Sequence, residues 1–179
     1  MVEKDNIILI GFMGTGKTAV GKRLAQALGK KFIDTDKEIE RVTGMSISQI
    51  FQKHGEFRFR SEEKLAVKKA CSHSNVVIAT GGGAVMDEEN AEIMQKSGRI
   101  ICLTARPEVI QKRVKRRDDR PLLHRDKSIK RIKELLQERE PYYKRYAEAF
   151  FDTSDNEHSE VVKNIIDYLE GKKYEGAQS

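Results

Sequence analysis

The feature that most constrains the fold lies near the start of the chain. The apolar run Asn6–Ile10 is followed by the glycine-rich segment GFMGTGKT (residues 11–18) and by a helical pattern that ends at Gly29. Glycines let a chain turn tightly and aim backbone N–H groups inward with no side chain in the way. A strand, a loop and a helix in this order predict the first unit of an α/β fold whose loop binds an anion at a helix N-terminus.

Short apolar runs alternate with longer amphipathic runs over the rest of the chain. The predicted strands, rich in β-branched or aromatic residues, are Asn6–Ile10, Lys31–Ile33, Val76–Thr80, Arg99–Leu103 and Ala149–Asp152. The later predicted helices are Gly55–Cys71, Asp87–Gln95, Pro107–Arg116, Ser128–Tyr146 and Ser159–Glu170, the last with Ser159 as its N-cap. This alternation predicts a three-layer α/β sandwich, in which helices cover both faces of a parallel sheet.

Length and composition limit the class of protein. A chain of 179 residues without a Pro/Gly/Ser-rich linker predicts one domain, and no apolar stretch is long enough for a signal peptide or a membrane span. Cys71 and Cys102 are typical of buried thiols in a reducing cytoplasm. The net charge of +6 comes from mixed charges without interleaved aromatic residues, so we expect small anionic ligands rather than nucleic acid.

The glycine-rich segment contains a specific phosphate-binding pattern. Gly11, Gly16, Lys17 and Thr18 complete G-x-x-x-x-G-K-[ST]. In this pattern the lysine reaches the outer phosphates of a nucleotide and the hydroxyl coordinates Mg²⁺. The segment therefore predicts a site for a nucleoside triphosphate.

A dinucleotide site is the alternative for the same segment. Gly14, Gly16 and Ala19 fit G-x-G-x-x-G/A, and Asp34 or Asp36 lies about 20 residues later, where a ribose-binding acid is expected. That pattern gives no role to the lysine and threonine that follow the loop, so the triphosphate site is favoured.

Two more unusual stretches follow predicted strands. Asp34 and Asp36 come directly after the second strand, and Gly81–Gly83 come after the third. Ligands of open parallel sheets bind beyond the carboxyl ends of the strands, so we expect both stretches beside the glycine-rich loop. Three consecutive glycines indicate a ligand that lies flat against the main chain.

The paired aspartates predict a metal ligand and a proton acceptor. Two carboxylates facing a triphosphate would repel it unless a cation or a bound proton donor offset their charge. A Mg²⁺ ion would neutralise one, and a substrate hydroxyl that gives up its proton suits the other. The alternative for Asp36 is that it only caps a following helix.

Two arginines lie on helix faces that otherwise point inward. Arg60 and Glu63 are one turn apart in the predicted helix Gly55–Cys71, where they can pair and hold the guanidinium toward a pocket. Arg139 falls on the apolar face of Ser128–Tyr146. Together they favour a planar acid such as a carboxylate, which the forked donors of two guanidinium groups can hold. A structural ion pair for Arg60 and a solvent-reaching head group for Arg139 are the alternatives.

The segment RRDDRPLLHRDK (residues 116–127) has little periodicity and predicts a loop between two helices. A lid that brings an arginine onto a transferred phosphoryl group is one interpretation, and an ordinary surface loop is the other. The four histidines show neither metal-ligand spacing nor a nucleophile partner, so we assign them no chemistry.

The motifs GFMGTGKT, DTD, FR with Glu63 three residues after the arginine, GGGAV, RPLL and REPYY together resemble the shikimate kinase family over nearly the whole chain. The resemblance implies a five-stranded parallel sheet in the order 2-3-1-4-5 with a mobile lid. It further implies one P-loop kinase domain over residues 1–179, with the lid at about 114–127 and a shikimate-binding region at about 34–62. The activity implied is ATP-dependent phosphorylation of the 3-hydroxyl of shikimate, in chorismate and aromatic amino-acid biosynthesis.

The resemblance also implies roles for individual residues. The catalytic residues would be Lys17, Asp36 and Arg120. The ATP-binding residues would be Gly14, Thr15, Gly16, Lys17, Thr18, Ala19, Arg113, Arg120 and Asp155. The shikimate-binding residues would be Asp36, Arg60, Gly81, Gly82, Gly83 and Arg139, and Mg²⁺ would be held by Thr18 and, through water, by Asp34.

Other functions that use a phosphate-binding loop are the alternatives. A gluconate-type or nucleotide kinase is not expected to carry the triple glycine with the paired arginines. A GTPase-like switch is disfavoured because the chain lacks N/T-K-x-D and a D-x-x-G after the loop. We expect a cytoplasmic monomer whose partners are shikimate and ATP, with no nucleic acid or membrane.

Overall fold

The sheet of the protein is parallel and has five strands, as the sequence predicted. The structure, a computed structural model, describes residues 5–117, 121–123 and 125–172. The strand order β2-β3-β1-β4-β5 confirms the expected 2-3-1-4-5 topology. The strands are β1 (Asn6–Ile10), β2 (Lys31–Asp34), β3 (Val76–Ala79), β4 (Gly98–Thr104) and β5 (Ala149–Asp152).

Helices cover both faces of this sheet. They are α1 (Lys17–Leu28), α2 (Thr35–Thr43), α3 (Ile47–Cys71), α4 (Glu88–Ser97), α5 (Pro107–Lys115), α6 (Ile129–Tyr146) and α7 (His158–Leu169), with 3₁₀ turns at Ala84–Met86 and Pro121–Leu123. Alternate residues of β1 point to opposite faces: Ile7 and Leu9 pack with α1 and α7, whereas Ile8 and Ile10 pack with α3 to α6. The three-layer sandwich is therefore confirmed. None of the described helices has the length and apolar character that crossing a bilayer requires.

The segment between β2 and β3 departs from the prediction. Helix α2 was not predicted, and α3 begins at Ile47 behind a capping box of Ser46 and Gln49, eight residues before the predicted start. Gly55 interrupts α3 with φ 81° and ψ 175°, a left-handed backbone conformation that suits glycine. A separate small core, Ile39, Ile50, Phe59 and Ala66, joins the two helices.

The last helix also begins differently. It starts at His158, so the predicted N-cap role of Ser159 is wrong. Glu157 occupies the cap position and its side chain makes no capping hydrogen bond. Packing of Val161, Val162 and Ile165 against the sheet holds this helix in place.

The sheet register brings the unusual stretches together. Ala79 of β3 pairs with Leu9 of β1 on one side and with Asp34 of β2 on the other. The residues that follow these positions therefore leave the sheet at one edge. The glycine-rich loop, the two aspartates and the triple glycine meet there, as the strand-end rule predicted.

Candidate active site

The glycine-rich loop has a backbone that only glycine adopts without strain at three positions. Gly11, Gly14 and Gly16 have φ of 138°, 78° and 92°. A side chain at Gly11 would also collide with the carbonyl oxygen of Leu103. Helix α1 starts directly after Gly16 without a side-chain cap, so its first N–H groups face the loop.

Buried hydroxyls fix the loop from behind. The Thr15 hydroxyl donates to the Phe12 carbonyl at 2.7 Å, and the Thr153 hydroxyl donates to the Thr15 carbonyl at 2.8 Å. Thr15 is 1% exposed and does not line the cavity in front of the loop. Its side chain therefore holds the loop, which leaves only its backbone for the predicted contact with phosphate.

Lys17 lies across the start of the loop. Its Nζ donates to the carbonyls of Gly11 at 2.6 Å and Phe12 at 3.0 Å. An ammonium group has three donors, and the residue lines the cavity in front of the loop. The lysine is thus positioned at a site where it can exchange these carbonyls for phosphate oxygens.

We call the space in front of the loop the glycine-loop cavity. It measures about 290 Å³, and its wall includes Gly14, Gly16, Lys17, Thr18, Ala19, Arg113 and His158. Arg113 is fixed to this wall because it donates to the carbonyls of Gly14 at 3.0 Å and Thr153 at 2.6 Å. Asp155 does not line the cavity; its exposed carboxylate pairs with Arg106 at 2.5 Å.

His158 is a residue of this cavity that sequence reasoning missed. Its Nε2 lies 3.4 Å from the point that a Cβ on Gly16 would occupy. Burial, together with the positive charges of Arg23 and Arg113, lowers the pKa of this imidazole below its ordinary value. The ring is therefore neutral at pH 7. No local sequence pattern predicts that His158 lies near Gly16, because the two residues are far apart in the chain.

The two aspartates after β2 have different environments. Asp34 Oδ1 accepts hydrogen bonds from the backbone of Asp36 at 3.0 Å and Lys37 at 3.3 Å, and thereby caps α2. Its Oδ2 accepts the Thr18 hydroxyl at 2.8 Å. The alternative in which Asp36 is the helix cap is thus wrong. Asp36 lines the cavity, with Oδ1 3.1 Å from the Cβ position of Gly81.

A second cavity, the arginine cavity, measures about 300 Å³ and contains both predicted arginines. Arg60 donates to Glu63 Oε1 at 2.7 Å and to Glu56 at 3.3 Å, which confirms the predicted pair. Arg139 is 3% exposed, and its guanidinium lies 5.2 Å from the Phe12 ring centroid. Its NH1 has no hydrogen-bond partner among the described residues. A buried cation with a vacant donor is suited to bind an anion.

The triple glycine makes room for these charged side chains. A Cβ on Gly81 would lie 2.7 Å from Glu63 Oε2, and one on Gly83 would lie 2.9 Å from both terminal nitrogens of Arg60. A Cβ on Gly82 would lie 2.9 Å from Arg139 NH1. The sequence predicted that a ligand approaches this stretch of main chain closely. In the structure the side chains of Glu63, Arg139 and Arg60 make such an approach.

Glu63 is a buried carboxyl group of this cavity with a raised pKa. It is 1% exposed, and burial raises its pKa to about 7, although the charge and hydrogen bond of Arg60 oppose this and Asp36 adds to it. Nearby, the Tyr143 hydroxyl donates to the Gly82 carbonyl at 2.6 Å, and burial raises the pKa of this phenol. Glu63 bonds to Arg60 and Tyr143 bonds to Gly82, so these two residues hold the triple glycine beside the arginines.

The two cavities share a wall. The residues that line both are Thr18, Asp34, Asp36, Gly81, Gly82 and Arg117. The structure thus brings Asp36, Arg60 and Arg139 together beside the glycine-rich loop. Arg120 lies outside the described residues, whereas Pro121 and Leu122 line the arginine cavity. Within the described parts of the chain, no three His, Cys, Asp or Glu side chains form a metal-binding cluster.

Comparison with known proteins gives one consistent family. The family model for shikimate kinase matches residues 13–170. Shikimate kinases of Pelotomaculum thermopropionicum and Caldanaerobacter subterraneus subsp. tengcongensis are 52% and 53% identical, over 94% and 90% of this chain and 98% and 94% of theirs. The solved structure of shikimate kinase from Acinetobacter baumannii in complex with shikimate is 36% identical, covers 93% of both chains and superposes with a TM-score of 0.90.

Proposed function

This chain belongs to the shikimate kinase family, and from that premise we propose how its own residues carry out the reaction. The reaction is the ATP-dependent phosphorylation of the 3-hydroxyl of shikimate to 3-phosphoshikimate, in chorismate and aromatic amino-acid biosynthesis. One observation supports the proposal above others: two cavities of about 300 and 290 Å³ meet at a shared wall. The family match decides against a gluconate-type or nucleotide kinase.

ATP binds in the glycine-loop cavity. Backbone N–H groups of residues 14–19 and the N-terminus of α1 hold its phosphates, and Lys17 reaches the outer ones. Arg113 and His158, which are distant from the loop in sequence, form another part of the cavity wall. Asp155 pairs with Arg106 outside this cavity, and its contact with adenine stays a prediction.

The oxygens of Thr18 and Asp34 fit a magnesium ion. The hydroxyl and the Oδ2 carboxylate oxygen lie 2.8 Å apart at the wall shared by the cavities, and both are hard oxygen ligands. An ion held there with phosphate oxygens and water needs no cluster of three protein carboxylates. When bound, it would neutralise charge on the phosphates of ATP.

Shikimate binds in the arginine cavity through its carboxylate and its hydroxyls. Arg139, whose NH1 is vacant, and Arg60, which Glu63 orients, hold the carboxylate. Gly81–Gly83, Phe51 and Phe59 also line this cavity. This clamp leaves the ring hydroxyls facing Asp36 and the shared wall.

Asp36 accepts the proton of the attacking hydroxyl. The hydroxyl oxygen forms a bond to the γ-phosphorus of ATP while the bond from that phosphorus to the bridging oxygen breaks, and ADP leaves with the electron pair. The proton passes to the Asp36 carboxylate. Positioning and charge stabilisation carry most of such a reaction, so the site needs no nucleophilic side chain.

The lid spans residues 114–127 and the shikimate-binding region residues 34–62, and Arg120 binds the γ-phosphate when the lid closes. We further propose that the protein acts as a cytoplasmic monomer, with ATP and shikimate as its partners and without nucleic acid or membrane.

The test is the release of ADP with a panel of acceptors: shikimate, quinate, gluconate and nucleoside monophosphates. Shikimate should be favoured by on the order of 10⁴ over an acceptor that leaves a polar group of the cavity unmatched. The Arg60→Lys variant separates charge from geometry, because a lysine keeps the positive charge but lacks the forked donors. This variant should lose selectivity for acceptors with a carboxylate. Equal turnover of gluconate or a nucleotide would contradict the proposal.

A further inference from the structure

We propose that Arg117 is a further catalytic residue, whose guanidinium binds the phosphoryl group as it passes between the two cavities. This proposal rests on the proposed function and deepens it. Arg117 lies two residues beyond the end of α5 and lines both cavities.

The position of Arg117 differs from that of the rest of the shared wall. The other shared residues belong to the start of α1, to the end of β2 and start of α2, and to the segment that follows β3. Arg117 follows α5 and so reaches the shared wall from a different part of the fold. It is also the one cation among the described residues that line both cavities.

Electrostatics at the shared wall call for a cation. Asp34 and Asp36 both line it, so a negatively charged phosphoryl group would meet two carboxylates there, of which the Mg²⁺ ion proposed at Thr18 and Asp34 offsets one. Lys17 lines only the glycine-loop cavity, and Arg60 and Arg139 line only the arginine cavity. Arg117 forms no ion pair with any residue in the described part of the chain, so no protein carboxylate there competes for it.

The backbone of Arg117 is held in place from two sides. Its N–H donates to the Val114 carbonyl at 3.0 Å, and its carbonyl accepts from Lys127 Nζ at 3.1 Å. Gln111 in turn donates to the Lys127 carbonyl at 3.0 Å. These bonds fix the base of the side chain to α5. During transfer the bond to the bridging oxygen breaks and the bond to the acceptor oxygen forms, and the guanidinium stabilises the charge on the phosphoryl oxygens.

Two neighbouring residues provide matched controls. Arg116 lines the glycine-loop cavity but not the arginine cavity, and Lys112, an exposed residue of α5 outside the proposed lid, lines neither. The experiment compares Arg117→Ala, Arg117→Lys, Arg116→Ala and Lys112→Ala in steady-state kinetics with ATP and shikimate. Binding of ADP and of shikimate alone is measured by isothermal titration calorimetry, and the thermal unfolding midpoint is followed for each variant.

We expect Arg117→Ala to lower kcat about 100-fold while the binding of ADP and of shikimate alone stays within about twofold of the parent. Arg117→Lys should recover part of kcat, and added guanidinium should recover part of the activity of Arg117→Ala. Arg116→Ala should raise the KM for ATP only, and Lys112→Ala should match the parent.

A kcat of Arg117→Ala within about twofold of the parent would overturn the proposal, as would an effect confined to the KM for ATP. A lowered unfolding midpoint without rescue by guanidinium would also overturn it, because the loss would then be structural. Failure of the proposed function is a different result: the parent itself would not release ADP with shikimate.

Discussion

The glycine-loop cavity and the arginine cavity are similar in size but are built in opposite ways. The phosphate-binding side of the first comes from one loop, because Gly14 and residues 16–19 line it in sequence, and Thr15 and Arg113 bond to the loop carbonyls. The second is formed by side chains of α3 and α6 that meet Gly81–Gly83. The phosphate-binding loop of this protein is thus local in sequence, whereas its site for a specific acid is assembled from distant elements.

The electrostatics of the two cavities differ as well. In the arginine cavity two ionisable groups are buried, Arg139 at 3% and Glu63 at 1% exposure, and a change to one alters the balance of the other. In the glycine-loop cavity Lys17 rests on two backbone carbonyls. We therefore expect substitutions there to affect turnover more than folding, and substitutions in the arginine cavity to affect acceptor binding and stability.

The largest expected effect tests the glycine-loop side. Lys17→Met should lower kcat about 10³-fold or more, because the outer phosphates lose their point charge, while the fold survives. A coupled ADP assay and circular dichroism measure the two outcomes. Lys22→Met, an exposed change on the same helix, is the control. Near-normal turnover of Lys17→Met would remove the lysine from the mechanism.

The next effect concerns stability on the arginine side. The pKa of Glu63 is about 7 in the folded protein against 4.5 ordinarily, so the folded state holds this proton more tightly than the unfolded chain does. The resulting stabilisation is complete below pH 4.5 and is lost as the pH rises through 7. The free energy of unfolding should therefore fall by on the order of 3 kcal/mol over this range because of this group.

Glu63→Gln should abolish that part of the pH dependence, since glutamine has no proton to lose. Urea unfolding of parent and variant from pH 4.5 to pH 8 measures the difference, and Glu89→Gln, an exposed carboxylate, is the control. Parallel pH curves for the parent and Glu63→Gln would show that the buried carboxyl does not titrate as inferred.

The third prediction separates the two ligands. Arg139→Ala should weaken shikimate binding about 100-fold and ATP binding about twofold or less, because Arg139 lines only the arginine cavity. Isothermal titration with each ligand is the measurement. Arg145→Ala is the matched control, since Arg145 lies on the same helix with an exposed side chain. Equal losses for both ligands would refute the clamp.

The smallest expected effect tests the triple glycine. Gly83→Ala places a methyl group 2.9 Å from the Arg60 guanidinium, which must shift, and the KM for shikimate should rise about tenfold with the KM for ATP unchanged. Gly44→Ala is the control: it has φ 68° and open space around it, so it should lose stability without a change in either KM. A KM for shikimate as in the parent would mean that the arginine relaxes without consequence.

Part of the candidate site could be predicted from single segments. Arg139 falls on the stripe of α6 that also buries Ile132, Leu135 and Tyr143, so its inward position follows from helical periodicity. The Arg60–Glu63 pair follows from their spacing of one turn. In each case neighbours in the same element decide the outcome.

Other features depend on contacts between segments that are distant in the chain. His158 reaches the glycine-rich loop from the start of α7, and Arg117 reaches both cavities from the end of α5. Helix α2 was missed because its residues are mostly charged, and the cap that starts it, Asp34, also bonds the Thr18 hydroxyl. No local periodicity or spacing encodes such contacts.

The sequence by itself determined the five strands along the chain, the phosphate-binding loop and the inward-facing arginines, because these follow from periodicities and backbone preferences within short segments. Only the tertiary structure decided which of the two aspartates caps a helix, why three glycines stand in a row and which residues stand between the cavities. These outcomes depend on close packing between elements that the parallel sheet brings to one edge, and such packing is a property of the whole fold.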